Sequence, residues 1–368
     1  MSNQPPSNSP PLIPAPHGRG TGLEPDNRFG GLHAIPDYAD FENDAEFVAR
    51  LGRVSTQFID DSAQSIVSEN SSPDIPFRFS VNPYRGCEHG CSYCYARPYH
   101  EYLGLNAGID FESKIFVKRN AAGLLRDWLA RDDWNPELIS FSGVTDCYQP
   151  CERNFELTRQ CLEVCLACRQ PVSIVTKNAL VVRDLDLLSQ MSSFDCVQVN
   201  MSLTSLDASL ARSLEPRTSS PQARLRAIHD LSSSGIPVRV LTAPVIPGLN
   251  DSELPALLEA AAKAGARHAG FTLLRLPLSV KPVFLDWLER VAPTKRDRII
   301  GLVQSVRDGA LNSSRFGERM RGTGQIADQI KQTFKLFARK FGLDHSFPRP
   351  SADHFVRPQP TSGQLRLF

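Results

Sequence analysis

The chain has no apolar run approaching the ~20 residues that a membrane-spanning helix requires, so no helical span is expected and no membrane partner. It also lacks an excess of charge of either sign. Its 41 Lys and Arg stand against 40 Asp and Glu, a formal net charge of +1, so any attraction to nucleic acid or anionic lipid must come from a local patch. The N-terminus, MSNQPPSNSPPLIPAPHGRG, has no basic start followed by an apolar core, so no secretory signal is read and a cytoplasmic location is expected. What the chain does have is cysteine. Nine cysteines, an odd number, occur in 368 residues with 41% apolar and 22% charged composition. A chain of that size builds a core without stapling, which favours thiolate ligands in a reducing compartment over disulfides.

Residues 1–40 hold eight prolines and five glycines with few aliphatics, a composition that cannot bury enough surface to offset chain entropy. They are read as a disordered tail, within which the patch HGRGTGLEPDNRF has two readings, a solvated tail first and docking on the domain as the alternative, and residues 41–75 are read as an N-terminal extension. From residue 76 short β-rich runs alternate with longer helical ones. The strand candidates are FRFSVNPY, LISFSGVTD, PVSIVTKN, CVQVNMSLT, PVRVLTAPV and HAGFTLLRLP. Between them lie amphipathic segments such as AAGLLRDWLARD, ERNFELTRQCLEVCLACR, PQARLRAIHDLSSSG and SELPALLEAAAKAG, the last two closed by a C-cap glycine. Six β/α units follow in order over residues 76–303. Period alone does not choose between an open doubly wound sheet and a barrel wall. Residues 304–368 form a C-terminal extension with one strong helix, in which Ile326, Ile330, Phe334, Phe337 and Phe341 share a face suited to packing on the domain.

Two cysteine trios share the spacing CxxxCxxC. Cys161, Cys165 and Cys168 sit in a helical pattern, where spacings of four and three place them on the face a crossover helix buries. Strung along a helix, they do not converge on one ion, and they read as small core hydrophobes. Cys87, Cys91 and Cys94 instead sit in VNPYRGCEHGCSYCYARPY, which carries Gly86, Gly90, Pro83 and Pro98 and no helical stripe. This is a loop leaving the first strand, and a loop can wrap its sulfurs around one centre. Three thiolates without a fourth leave one coordination position open, as in a reactive rather than a structural centre. The competing reading is a structural zinc site completed by His89 or His100, although zinc sites usually come as two short pairs and no second pair follows.

With Tyr93 before its last cysteine, on the loop after strand one of a six-unit β/α domain, this motif resembles the radical S-adenosylmethionine (SAM) superfamily. The stretches SPDIPFRFSVNPYRGCEHGCSYCYARPYHEYLG, TDCYQPCE, TKN, LEPR and PVIPGLND are similar to its DNA repair photolyase-like subgroup, related to spore photoproduct lyase. The resemblance runs from about residue 17 to the end and is strongest over 72–280. It implies an α/β fold, a partial (β/α)6 TIM-like barrel with the site at the carboxyl ends of its strands. It also implies a [4Fe-4S] cluster on Cys87, Cys91 and Cys94, whose open iron grips SAM and cleaves it to a 5'-deoxyadenosyl radical that takes hydrogen from a substrate. Tyr93 then matches an aromatic beside the adenine, and Tyr95 follows the final cysteine as in spore photoproduct lyase-like sequences. Asp146 falls where the methionine ammonium binds, and Lys177 and Ser202 where the cosubstrate carboxylate and ribose are contacted. Glu215 and Arg217 are further candidates for ribose or carboxylate. Asp146 reads equally as a helix N-cap, whereas Lys177 directly after VSIV is poorly explained by packing, since burying its charge unpaired is costly.

The implied partners are an external one-electron donor of flavodoxin or ferredoxin type and a substrate, with nucleic acid one class. Where spore photoproduct lyase has a hydrogen-returning cysteine this chain has Val144, with Cys147 and Cys151 the nearby substitutes. A local basic footprint lies between Arg307 and Phe341: Arg307, Arg315, Arg319, Arg321, Lys331, Lys335, Arg339 and Lys340 against Asp308, Glu318 and Asp328, a net of +5. The alternative functions are a zinc-stabilised non-enzymatic nucleic-acid-binding protein, and a radical enzyme that modifies RNA or protein.

Overall fold

The computed structural model describes residues 15–30 and 54–359. Its strands are β1 (Gln57–Asp60), β2 (Val67–Glu69), β3 (Phe79–Val81), β4 (Tyr84–Arg85), β5 (Lys114–Val117), β6 (Ile139–Phe141), β7 (Val172–Thr176), β8 (Val197–Ser202), β9 (Val238–Val245) and β10 (His268–Leu273). The six runs expected to be strands are β3 and β6 to β10. They pair in parallel in the order β10-β9-β8-β7-β6-β3, with β2 added antiparallel at the edge. Strand order follows chain order with no reversal, which is the winding of a barrel wall; a doubly wound sheet would switch direction in the middle.

Alternation along the strands separates two faces. Val81, Phe141, Ile174, Val199 and Val238 are in register across β3, β6, β7, β8 and β9 and are fully buried in the main core. This core lies under helices Ala121–Leu129, Leu157–Cys168, Leu185–Ser193, Pro221–Ser233 and Leu254–Lys263. The opposite face carries Ser80, Ser140, Ser173 and Gln198 in one register row. There the Ser173 hydroxyl accepts from the amides of Gln198 and Asn200, each at 2.9 Å. Small polar side chains on the concave face leave room inside the barrel that large apolar ones would fill.

Gly235 (φ 78°) and Gly265 (φ 101°) follow the helices they were expected to cap. The helix expected over ERNFELTRQCLEVCLACR is broken at Glu156 (φ 50°). The buried Glu152 carboxylate accepts from the Thr158 and Arg159 amides, capping the second piece. In helix Gly324–Lys340, Ile330 and Phe334 are buried and Ile326, Phe337 and Phe341 half-buried against the core, as the stripe predicts. No helix among the described residues is long and apolar enough to cross a membrane.

Two features depart from expectation. Residues 15–30, inside the stretch read as a disordered tail, lie against the domain with Arg19 and Thr21 buried; residues 1–14 and 31–53 fall outside the described residues. In addition, β1, β5 and β4, of two to four residues each, make a small second sheet that was not expected from the sequence. The open side of the barrel, between β10 and β2, is crossed by the segment around residues 313–322. Leu273 N–H donates to Met320 O at 3.0 Å. Asp74, in the turn before β3, accepts from Gly317 N–H at 2.8 Å and from Arg319 Nε at 2.6 Å.

Candidate metal centre

β4 hands the chain directly to Gly86 and Cys87, so the small sheet sets where the cysteine loop begins. Cys87 N–H donates to Phe111 O at 2.8 Å, and two tight turns follow, Gly90 N–H to Cys87 O and Cys94 N–H to Cys91 O. Gly90 has φ +65°, and a Cβ there would stand 2.6 Å from Glu112 Oε2, so this turn needs glycine.

The loop is held from behind by Arg97, whose side chain is fully buried. Its guanidinium donates to the carbonyls of Cys91 (2.9 Å), Gly90 (3.3 Å), Ala107 (3.1 Å) and Gly108 (3.0 Å). It also pairs with Glu112 at 2.5 Å and lies over the Phe111 ring. Glu112 in turn accepts from the Gly20 amide at 2.8 Å. Arg19 reaches the Glu112 carbonyl, the Val54 carbonyl and Thr56 Oγ1. Backbone meets backbone closely here: a Cβ on Gly20 would fall 1.8 Å from Gly90 O, and one on Gly108 1.9 Å from Leu23 O. The N-terminal strap therefore forms the outer wall of the cysteine loop.

Cys87 and Cys91 are buried and Cys94 is half-buried, all as free cysteines. Cys87 and Cys94 pack with Ala96, Phe111 and Val144, and Cys91 with Tyr93 and Leu214. Burial pushes all three thiols up, so thiolates persist here only when a cation neutralises them. Their secondary electrostatic neighbours converge: Asp146 and both other thiols act on Cys87, and Lys177 acts on both Cys91 and Cys94. The trio thus faces the ends of β6 and β7.

The zinc alternative finds no support in the two histidines. His89 Nδ1 lies 3.4 Å from Asp146 Oδ2 and Nε2 3.4 Å from the Asn178 amide. His100 is wedged edge-on between Phe111 and Phe116, and burial lowers it to about 4. Among the described residues no three or more His, Cys, Asp or Glu side chains gather closely enough to hold a single ion. A cluster asks for something else: each thiolate binds its own iron, so the sulfurs surround a volume rather than meet at a point.

The other sequence candidates divide. Asp146 does not cap the following helix. Its Oδ1 accepts from Tyr148 N–H at 2.9 Å and Thr176 Oγ1 at 2.8 Å, and its Oδ2 from Lys177 N–H at 2.8 Å. Burial alone would raise its pKa, but His89 and these donors hold it below the usual range. Lys177 points its ammonium across the mouth, 3.5 Å from Ala243 O, 3.9 Å from Glu215 Oε1 and 5.9 Å above the centre of the Tyr93 ring. Glu215 is buried and accepts from the Tyr93 hydroxyl, Thr204 Oγ1 (2.6 Å) and Arg224. Against the raising effect of burial, Arg224 and Lys177 bring it down to about 2. Tyr93, Lys177 and Glu215 are therefore one group beside the thiols. Ser202 closes β8 with its carbonyl on Arg224 at 3.0 Å. Arg217 is drawn away, to Glu88 at 3.0 Å and Thr56 at 3.3 Å.

Cys147 and Cys151 do not join this group. Both lie in the main core, Cys147 beside Ser142 and Cys151 beside Glu88, whereas Val144 touches the Cys87 and Cys94 cluster. Cys161, Cys165 and Cys168 are core residues as expected. Three of the eight basic residues of the C-terminal footprint are engaged within the fold: Arg307 is buried, Arg315 pairs with Asp308 and Glu318, and Arg319 pairs with Asp74. Sequence reasoning missed Arg97 and Glu112, and it held docking of the strap patch only as the second reading beside a solvated tail.

Residues 81–261 match the Radical SAM superfamily. An uncharacterised protein of Mycobacterium tuberculosis is 41% identical over 221 residues, covering 60% of this chain and 65% of that protein. An uncharacterised protein of Methanocaldococcus jannaschii is 32% identical over 176 residues, covering 48% of this chain and 63% of its own length. The chain thus spans less than two thirds of these relatives. Among solved structures, spore photoproduct lyase complexed with dinucleoside spore photoproduct superposes with a TM-score of 0.56 at 16% identity, covering 77% of this chain and 79% of that one. That likeness shows a shared fold, the partial barrel of radical SAM enzymes.

Proposed function

We propose that this protein is a radical SAM enzyme with Cys87, Cys91 and Cys94 as the cluster ligands: residues 81–261 match the Radical SAM superfamily, which implies a [4Fe-4S] cluster and SAM. The observation that carries the reading is the set of three thiols, two buried and one half-buried, on one turn-rich loop, with Cys91 packed beside the Tyr93 ring over which the Lys177 ammonium lies. When bound, the cluster and SAM supply one-electron cleavage of the sulfonium and a hydrogen-abstracting carbon radical.

The chain's own residues do the rest. Lys177 presents a cation at the end of β7, suited to a carboxylate. Glu215, ionised throughout the working pH range, holds the Tyr93 hydroxyl and steadies Lys177, so that the Tyr93 ring forms a fixed wall for a flat group. Asp146 ties the ends of β6 and β7 to His89 of the cysteine loop; with its oxygens already engaged, it acts as a positioning residue. Arg97 and Glu112, sealed by the strap, fix the loop backbone and keep water from its outer side.

The test is deoxyadenosine release from SAM by anaerobically reconstituted, dithionite-reduced protein. Release by the parent and none by Cys91→Ala is the expected result; equal release by the variant removes the assignment. Zinc at about one per chain, in protein that stays colourless after iron and sulfide treatment, would favour the non-enzymatic alternative.

A further inference from the structure

At the carboxyl end of β10, on the same rim as the cysteine loop and Lys177, Arg275 is a cation without a counter-ion. Among the described residues it makes no ion pair. Its Nε is shielded from solvent with no hydrogen-bond partner, and its Nη1 donates to the Met320 sulfur at 3.5 Å. A half-buried guanidinium left this way is costly unless something else meets it.

The surroundings deepen the imbalance. Arg319 and Arg307 lie within electrostatic reach of Arg275, so its nearest charged neighbours are largely of its own sign. The acid in reach, Asp74, is held by Arg319 at 2.6 Å and by Gly317 N–H. Asp308 and Glu318, the acids of the segment that follows Arg307, are taken by Arg315. Arg307 spends its two terminal nitrogens on the carbonyls of Glu318, Leu273 and Leu274, which fixes the backbone on which Arg275 stands.

Aromatic hydroxyls complete the setting. Tyr95 and Tyr99 lie near Arg275. Tyr95 is anchored at the end of β6 by its hydroxyl on Gly143 O at 3.0 Å and directly follows Cys94. From there exposed rings continue outward, Tyr99 to Tyr102 at 6.5 Å and Tyr102 to Phe29 at 4.9 Å between centroids.

We propose that Arg275, flanked by Arg319 and the Tyr99 hydroxyl, binds a phosphate group of the substrate at the barrel mouth. A guanidinium fork matches two oxygens of a phosphate, and the dianion offsets the clustered positive charge better than a carboxylate can. The tyrosine ridge beside it offers a surface for a ring carried by the same molecule. As substrate recognition this rests on the reading of the mouth as the reaction site, but phosphate binding itself requires neither cluster nor SAM.

The test titrates full-length protein, free of SAM, with inorganic phosphate, uridine 5'-monophosphate and uridine. Phosphate and the nucleotide bind and uridine does not. Arg275→Met weakens both about ten- to a hundredfold. Arg275→Lys retains part of the affinity, and Arg339→Met, remote and exposed, binds as the parent. Tighter binding of the nucleotide than of inorganic phosphate assigns the site to an organic phosphate; equal binding assigns it to the free ion and overturns the substrate role. Uridine binding as tightly as its phosphate, or Arg275→Met binding like the parent, overturns the site itself. Protein that binds phosphate through Arg275 yet releases no deoxyadenosine refutes the proposed function and leaves this site standing.

Discussion

Among single residues, the two cysteine trios separate chemistry from packing. Cys165 is fully buried among apolar neighbours, so Cys165→Ala is expected to cost about 1 kcal/mol, the loss of one small buried group, with iron content unchanged. Cys91→Ala removes iron and activity while altering the fold little; equal iron loss in both variants would contradict the division. Glu215 makes a pH-dependent prediction. Its folded value of about 2 lies below the ordinary carboxylate value, so its ionised form stabilises the fold above pH ~4.5, and that stability is lost as pH falls through about 2. Glu215→Gln is therefore less stable than the parent at pH 7 by denaturant unfolding, and the gap narrows as pH drops from 4.5. A gap that stays constant with pH would show that Glu215 contributes by shape alone. The cysteine loop and Lys177 stood out in the sequence because packing accounts poorly for three thiols in a glycine- and proline-rich loop or for a lysine at the end of a buried strand, whereas Tyr93 entered only through the family resemblance. The true partners of Asp146 and Arg217 were not, because a carboxylate or guanidinium bonds whatever the folded chain brings near, and sequence does not say what that is.

Among the elements, the segment that most changes the picture is the N-terminal strap. Proline and glycine content argued for a solvated tail, yet Arg19 and Gly20 lock onto Glu112 and Gly90. Composition describes what a segment can bury by itself; it is silent on backbone-to-backbone docking, which glycine permits through its missing Cβ. Gly20→Val is expected to lift the strap from the loop. The reconstituted cluster should then bleach faster in air and yield its iron faster to a chelator, measured as loss of visible absorbance, with far-ultraviolet dichroism unchanged. Bleaching at the parental rate would show that the strap is a passive covering. By contrast the strands and helices of the barrel were legible throughout, because β-branched runs and 3.6-residue stripes persist over whole elements. Strands β1, β4 and β5 of the small sheet were not legible: β4 is two residues directly before the cysteine loop, and β5 follows the short helix Ile109–Ser113 without a turn.

Over the whole molecule, the barrel is completed by the C-terminal segment, whose arginines looked from sequence like a nucleic-acid footprint. Counting charges gave +5, but folding spends Arg307 on backbone carbonyls and Arg315 and Arg319 on carboxylates. Arg319 and Asp74 join the two open edges instead. Asp74→Ala is expected to speed amide hydrogen exchange in residues 313–322 and in the turn before β3, with other strands unaffected; uniform exchange would deny the bridge. The enzymatic reading of the barrel mouth depends on Cys87, Cys91 and Cys94 together holding one incompletely ligated iron-sulfur cluster. Electron paramagnetic resonance of the reduced, reconstituted protein, recorded with and without SAM, decides the point. About four iron per chain are expected, with a cluster signal that changes on adding SAM and is absent in Cys91→Ala. A signal indifferent to SAM, or one that survives the loss of Cys91, would refute it.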